Sequence, residues 1–171
     1  MKILIIYFTR SGNTEQLAGV LAAALGADCE RLCERDDGAR RAGPLGYLRS
    51  LRDALKRRPA TLLPTKHDVA SYDLVAIGTP VWAGRPSTPI GTWLRQSGDT
   101  LKHVAFFCSM GGRGSETTFD EMRKLCVKTP VATCAITSRD ISRDDDRELM
   151  KAFARRIQGA IDTVDMAKPV A

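Results

Sequence analysis

The sequence predicts an α/β protein, a three-layer open sheet of five parallel strands with helices on both faces. Three observations point there. Apolar runs such as Ile3-Leu4-Ile5-Ile6 and Leu74-Val75-Ala76-Ile77 lack polar alternation, which marks strands buried on both faces. Segments with apolar residues at three- and four-residue spacing follow these runs in turn. Strand–helix alternation of this kind closes into a parallel sheet with right-handed crossovers.

Taken in order, the first strand spans residues 2–8 and halts at Thr9-Arg10-Ser11-Gly12-Asn13-Thr14. A helix begins at Asn13 or Thr14, with Leu17, Val20, Leu21, Ala24 and Leu25 at helical spacing. Residues 27–32 carry Asp28, Glu30 and Arg31 and suit the edge of a sheet. A polar stretch over 34–43 leads to a basic amphipathic helix with Leu45, Leu48, Leu51 and Leu55 on its inner face, stopped by Pro59. Residues 64–71 connect to the strand 74–77, which ends in a loop from Gly78 to Pro86. The next helix starts near Ser87 or Thr88 with Pro89 in its first turn, and Ile90, Trp93 and Leu94 face inward. The strand 104–108 opens into Ser109-Met110-Gly111-Gly112-Arg113-Gly114. Ser115 caps a helix packed through Phe119, Met122, Leu125 and Cys126. After a strand at 131–137, Asp145 and Glu148 form a capping box for a final helix with Leu149, Phe153, Ile157, Ala160 and Ile161 inside.

A chain of 171 residues fits one domain, and 43% apolar with 27% charged residues is an ordinary globular composition. No apolar run approaches the roughly 20 residues of a membrane helix, and no signal-peptide pattern precedes the first strand, so a cytoplasmic protein is expected. Five cysteines with no CxxC pair point to buried reduced thiols rather than a disulfide framework or a zinc site. The net charge of +6 lies largely in the basic helix. Without interleaved aromatics, that helix reads as a solvated face, not a nucleic-acid surface.

The functional signal is the placement of the unusual loops. Those after the first, third and fourth strands are rich in Gly, Ser, Thr or Pro, and open parallel sheets bind ligands at the carboxyl ends of their strands. After the first strand, a helix start offers unpaired amides and partial positive charge, to which the hydroxyls of Thr9, Ser11 and Thr14 add donors. The plainer alternative is that Ser11 or Asn13 only caps the helix. Trp82 is either an aromatic face for a planar ligand or a core or surface residue. Arg10 points to a phosphate or to solvent.

On these residues the chain resembles the flavodoxin-like FMN-binding proteins. Thr9-Arg10-Ser11-Gly12-Asn13-Thr14 is similar to the family's T/S-x-T/S-G-x-T phosphate loop. Gly78-Thr79-Pro80-Val81-Trp82-Ala83-Gly84 is similar to the loop along the isoalloxazine ring, and Cys108-Ser109-Met110-Gly111-Gly112 stands in the place of the second flavin loop. The resemblance covers nearly the whole chain in pattern. It implies strand order 2-1-3-4-5 in a domain of residues 1–164, with 165–171 as a tail. It also implies noncovalent FMN, the phosphate held by Thr9, Arg10, Ser11, Gly12, Asn13 and Thr14. The ring would lie between Pro80, Val81, Trp82, Ala83 and Gly84 and the second loop of Ser109, Met110, Gly111, Gly112 and Arg113.

Electron transfer through FMN to a redox partner protein or a small electron acceptor is the implied function. The alternatives are an FMN-dependent quinone or nitro reductase with NAD(P)H as donor, and a flavodoxin-fold interaction module that has lost FMN. No nucleic acid and no membrane span are expected, and a homodimer is left open. Two departures from flavodoxins proper stand out: the positive net charge, and Met110 where many carry a second aromatic. An open flavin face would admit a substrate or a nicotinamide. Arg85 and Arg113 flank the ring loops, either stabilising a reduced anionic flavin or facing water.

Other chemistries fit less well. A phosphatase loop of C-x5-R form is one residue short between Cys108 and Arg113, and it would sit on the wrong strand. No carboxylate cluster ends the first strand to hold magnesium. His67 and His103 read as structural or exposed.

Overall fold

The computed structural model describes residues 1–35 and 59–166, and side chains up to residue 163. The expected basic helix, its polar approach beyond residue 35 and the tail from 167 lie outside the described residues.

The strands are β1 (Ile3–Tyr7), β2 (Asp28–Arg31), β3 (Leu74–Trp82), β4 (Arg85–Pro86), β5 (His103–Met110) and β6 (Thr133–Thr137). Five of them pair in parallel in the order β2-β1-β3-β5-β6, which is 2-1-3-4-5 counted over the parallel strands alone, and β4 runs antiparallel to β3. Ile5 sits opposite Cys29 on one side and Ala76 on the other, Ala76 opposite Ala105, and Phe107 opposite Cys134. The helices are α1 (Asn13–Leu25), α2 (Thr88–Ser97), α3 (Ser115–Cys126), α4 (Ser138–Ser142) and α5 (Asp146–Met166). Helix α5 continues two residues past the expected domain boundary at 164.

The absence of alternation in β1 has a direct cause: both faces of the strand are covered. Ile3, Ile5 and Tyr7 point into the layer of α1 and α5, with Leu17, Leu21, Phe153 and Ile157. Leu4, Ile6 and Phe8 point into the other layer, with Ile90, Trp93 and Met122. Leu4, Ile5 and Ile6 are fully buried, and each such side chain contributes roughly 1.5–3 kcal/mol.

Several expectations are corrected. Strand β3 does not stop at Ile77 but runs on to Trp82, because β5 continues beside it as far as the Pro80–Ser109 pair. Gly78 permits this pairing: a Cβ there would stand 2.2 Å from the nearest atom of the Phe107 ring. The capping box is not at Asp145 and Glu148. The Glu148 carboxylate takes the Lys151 ammonium at 2.7 Å, and the box forms at α4, where Thr137 and Asp140 bond each other's backbone amides. All five cysteines are free, yet only Cys108, Cys126 and Cys134 are buried; Cys29 is exposed on the edge strand.

That edge is tied down. Leu63 donates its amide to the Cys33 carbonyl and Arg35 donates to Thr61, both at 2.9 Å, closing a short antiparallel ribbon through the Glu34–Leu62 bridge. Glu30, 8% exposed, accepts the amides of Lys66 at 2.6 Å and His67 at 3.1 Å and lies 2.6 Å from His67 Nδ1. His67 is thus a structural histidine, and His103 is exposed at the start of β5. Among the described residues, no helix is long and apolar enough to cross a membrane.

Candidate functional site

Every parallel strand ends at the same edge, and there the loops after β1, β3 and β5 meet. At the first of them, Gly12 caps α1 in the left-handed region, with φ 93° and ψ −19°, and no side chain makes a capping hydrogen bond. The expected alternative, Ser11 or Asn13 as a cap, is not realised. Thr9, nearly buried, instead accepts the Gly12 amide at 3.0 Å and closes the loop on itself. The α1 amides of the first turn therefore keep the unsatisfied character and partial positive charge of a helix start. Arg10 and Ser11 are exposed, Gly12 and Asn13 half-buried, and Thr14 buried.

An acidic side chain in this first turn would oppose an anion, and Glu15 is held aside. Its carboxylate receives the Tyr7 hydroxyl at 3.2 Å and lies 4.0 Å from Arg31 on β2. Burial, with Glu15 beside it, pushes the Tyr7 hydroxyl up to about 12, so it stays a donor.

The loop after β3 is a hairpin, not an irregular segment. Pro80 and Val81 are half-buried on the strand, and the chain turns at Ala83 (φ 52°) and Gly84 (φ 72°) into β4. Two successive positive φ values are what a two-residue hairpin turn of the primed type demands. The Thr79 hydroxyl accepts the Ser87 amide at 2.9 Å and fixes the return of the chain into α2. Trp82 is 5% exposed and meets Phe8 edge to face, with centroids 5.8 Å apart and planes at 88°. The core alternative describes it: its ring belongs to the apolar layer under the mouth and is not presented as an open face.

The loop after β5 begins at Ser109, buried, and Met110, half-buried, and continues through Gly111, Gly112 and Arg113, all exposed. Ser138 donates to the Met110 carbonyl at 3.3 Å. Gly114 (φ 99°) packs on the hairpin tip so closely that a Cβ would stand 2.8 Å from Gly84 Cα. The Thr117 hydroxyl lies 2.7 Å from the Gly84 carbonyl. Arg85 lies 3.3 Å from both carboxylate oxygens of Glu121 on α3, so its charge is matched within the protein rather than facing water.

Sequence spacing does not disclose the link between the first and last of these loops. Thr14 Oγ1 and Ser109 Oγ are 2.8 Å apart, both buried, across 95 positions of sequence. Together with the Gly84–Gly114 contact, this pair brings the three loops into one unit. No thiol joins the site as a nucleophile: burial, with Cys134 adding to it, pushes the Cys108 thiol up to about 12. Among the described residues no cluster of His, Cys, Asp or Glu could hold a metal ion. A separate cavity of about 380 Å³ runs along β2 between residues 29–33 and 63–67.

No protein-family model and no curated protein sequence matches the chain. Solved structures do. A Lactobacillus acidophilus flavoprotein determined in complex with FMN is similar with a TM-score of 0.69 at 21% identity, over 83% of this chain and 97% of that one. A WrbA-like flavodoxin protein from Agrobacterium tumefaciens gives 0.59 at 14% identity, over 94% and 98%. The two-electron reduced Megasphaera elsdenii flavodoxin gives 0.56 at 19%, over 90% and 98%. Strand order, layering and these likenesses agree: the chain has the flavodoxin-like fold.

Proposed function

We propose that the protein is an FMN-binding redox protein that transfers electrons through noncovalently bound FMN. The observation that carries this reading is the start of α1, which opens without a side-chain cap where three strand-end loops converge. The residues fit a mononucleotide. The α1 amides and the exposed Ser11 hydroxyl suit a phosphate, and the hairpin tip at Ala83-Gly84 and the exposed Gly111-Gly112 offer backbone donors to a flavin's polar edge. Bound there, FMN would supply the electron-accepting chemistry. The protein's part is to bind the phosphate, orient the ring and set its electrostatic surroundings. The FMN complex of the Lactobacillus flavoprotein supports the same reading.

One observation favours the NAD(P)H-dependent reductase as second reading. With Trp82 packed against Phe8 and Met110 in place of a second aromatic, neither ring loop offers an exposed aromatic face, leaving room for a small acceptor or a nicotinamide. The five free thiols suit the cytoplasm, where we place the reaction. The test is direct. The purified protein is titrated with FMN while flavin fluorescence is followed, and the loaded protein is then mixed with NADH or NADPH and a quinone. Quenching with slow nicotinamide oxidation indicates a carrier, and steady oxidation a reductase. No quenching leaves only an interaction module.

A further inference from the structure

We infer that Ser109 is a positioning residue for the phosphate end of the site: through Thr14 it fixes the first turn of α1, and it does not contact the ring. The inference rests on the FMN reading and deepens it, because the sequence resemblance places Ser109 beside the ring.

Three observations carry it. Ser109 is 6% exposed, so almost none of its surface is left to present to a ring. Its Oγ lies 2.8 Å from Thr14 Oγ1, and Thr14, 1% exposed, is the second residue of α1. The helix has no side-chain cap, and its other side-chain ties, Tyr7 to Glu15 and Gln16 to Asp146, fall on the residues after Thr14. A buried hydroxyl needs a partner. Without Ser109, the buried Thr14 hydroxyl is left without its partner, and the first turn of α1 must shift to satisfy it. Amides that must converge on one phosphate are sensitive to displacements well under an ångström. The ring loops are held by other contacts, the Thr117–Gly84 bond and the Gly84–Gly114 packing.

FMN and riboflavin differ only by the phosphate, so their affinities separate the two ends of the site. Binding of each is measured by fluorescence quenching for wild type, Ser109→Ala and Ser109→Thr. The expected result is FMN affinity about tenfold weaker in Ser109→Ala, riboflavin affinity within twofold of wild type, and recovery of FMN affinity in Ser109→Thr. Ser109→Cys, close in shape with a weaker donor, replaces the alanine variant should that fail to fold. Equal losses for both flavins, or no loss for either, overturn the inference while leaving the function standing. Wild-type protein that takes up neither flavin overturns the function and this inference with it.

Discussion

The Phe8 and Trp82 rings meet at right angles beneath the candidate mouth, joining the residue just after β1 to the last residue of β3. Trp82 is therefore first a packing residue. Trp82→Phe is expected to lower stability by about 1–2 kcal/mol in urea unfolding of the flavin-free protein, with FMN affinity changed less than threefold. A collapse of affinity at unchanged stability would instead mean that Trp82 leaves the core to meet the ring.

Arg85 and Glu121 bind the hairpin to α3, and both are partly buried. Glu121→Gln is expected to cost about 0.5–1 kcal/mol. It also leaves the Arg85 charge less compensated near the ring loops, which should raise the reduction potential of bound flavin. A spectroelectrochemical titration with an unchanged or lower potential would show that Arg85 is electrically remote from the ring.

Asp140 gives the protein an acid-sensitive point. Hydrogen bonds from the Thr137 hydroxyl and amide hold its carboxyl below the ordinary 3.8. A carboxyl with a lowered native value stabilises the fold above its unfolded value, and that contribution is lost as pH falls through the native one. Asp140→Asn should therefore cost about 0.5–1 kcal/mol at pH 7, with the difference from wild type shrinking below about pH 4. A constant difference across that range would remove the carboxylate from the explanation.

The thiols should label in order of exposure. Iodoacetamide followed by peptide mass mapping is expected to find Cys29 modified first and Cys33 next, with Cys108, Cys126 and Cys134 modified only on unfolding. Cys29 labelling should accelerate with pH above the usual thiol range, since partial desolvation of its sulfur and the nearby Glu15 raise its value. Fast native labelling of Cys108 would contradict its burial.

The sheet was legible because β1 and β3 carry unbroken apolar runs, and the helix starts because Asn13, Thr88 and Ser115 follow polar, Gly-rich or Pro-rich turns, although Gly114, not the expected Ser115, caps α3. The loop after Ile77 misled because its Gly, Thr and Pro are turn residues by composition, whereas Gly78 is there to admit the Phe107 ring and Thr79 to bond Ser87. Trp82 beside Gly and Pro left a ligand-facing ring and a packing role both open, and only the third dimension supplies Phe8. Glu30 looked like edge polarity; its two amide partners lie 36 and 37 positions away. The Thr14–Ser109 bond had no signal at all, since neither hydroxyl differs from its neighbours until the strands are placed in order.

The ribbon of residues 33–35 and 61–63 holds the two ends of the intervening stretch about one interstrand spacing apart, roughly 5 Å. Amides and carbonyls that the end of β2 would otherwise leave unpaired are taken up by the chain itself, which guards that side of the sheet against pairing with another molecule.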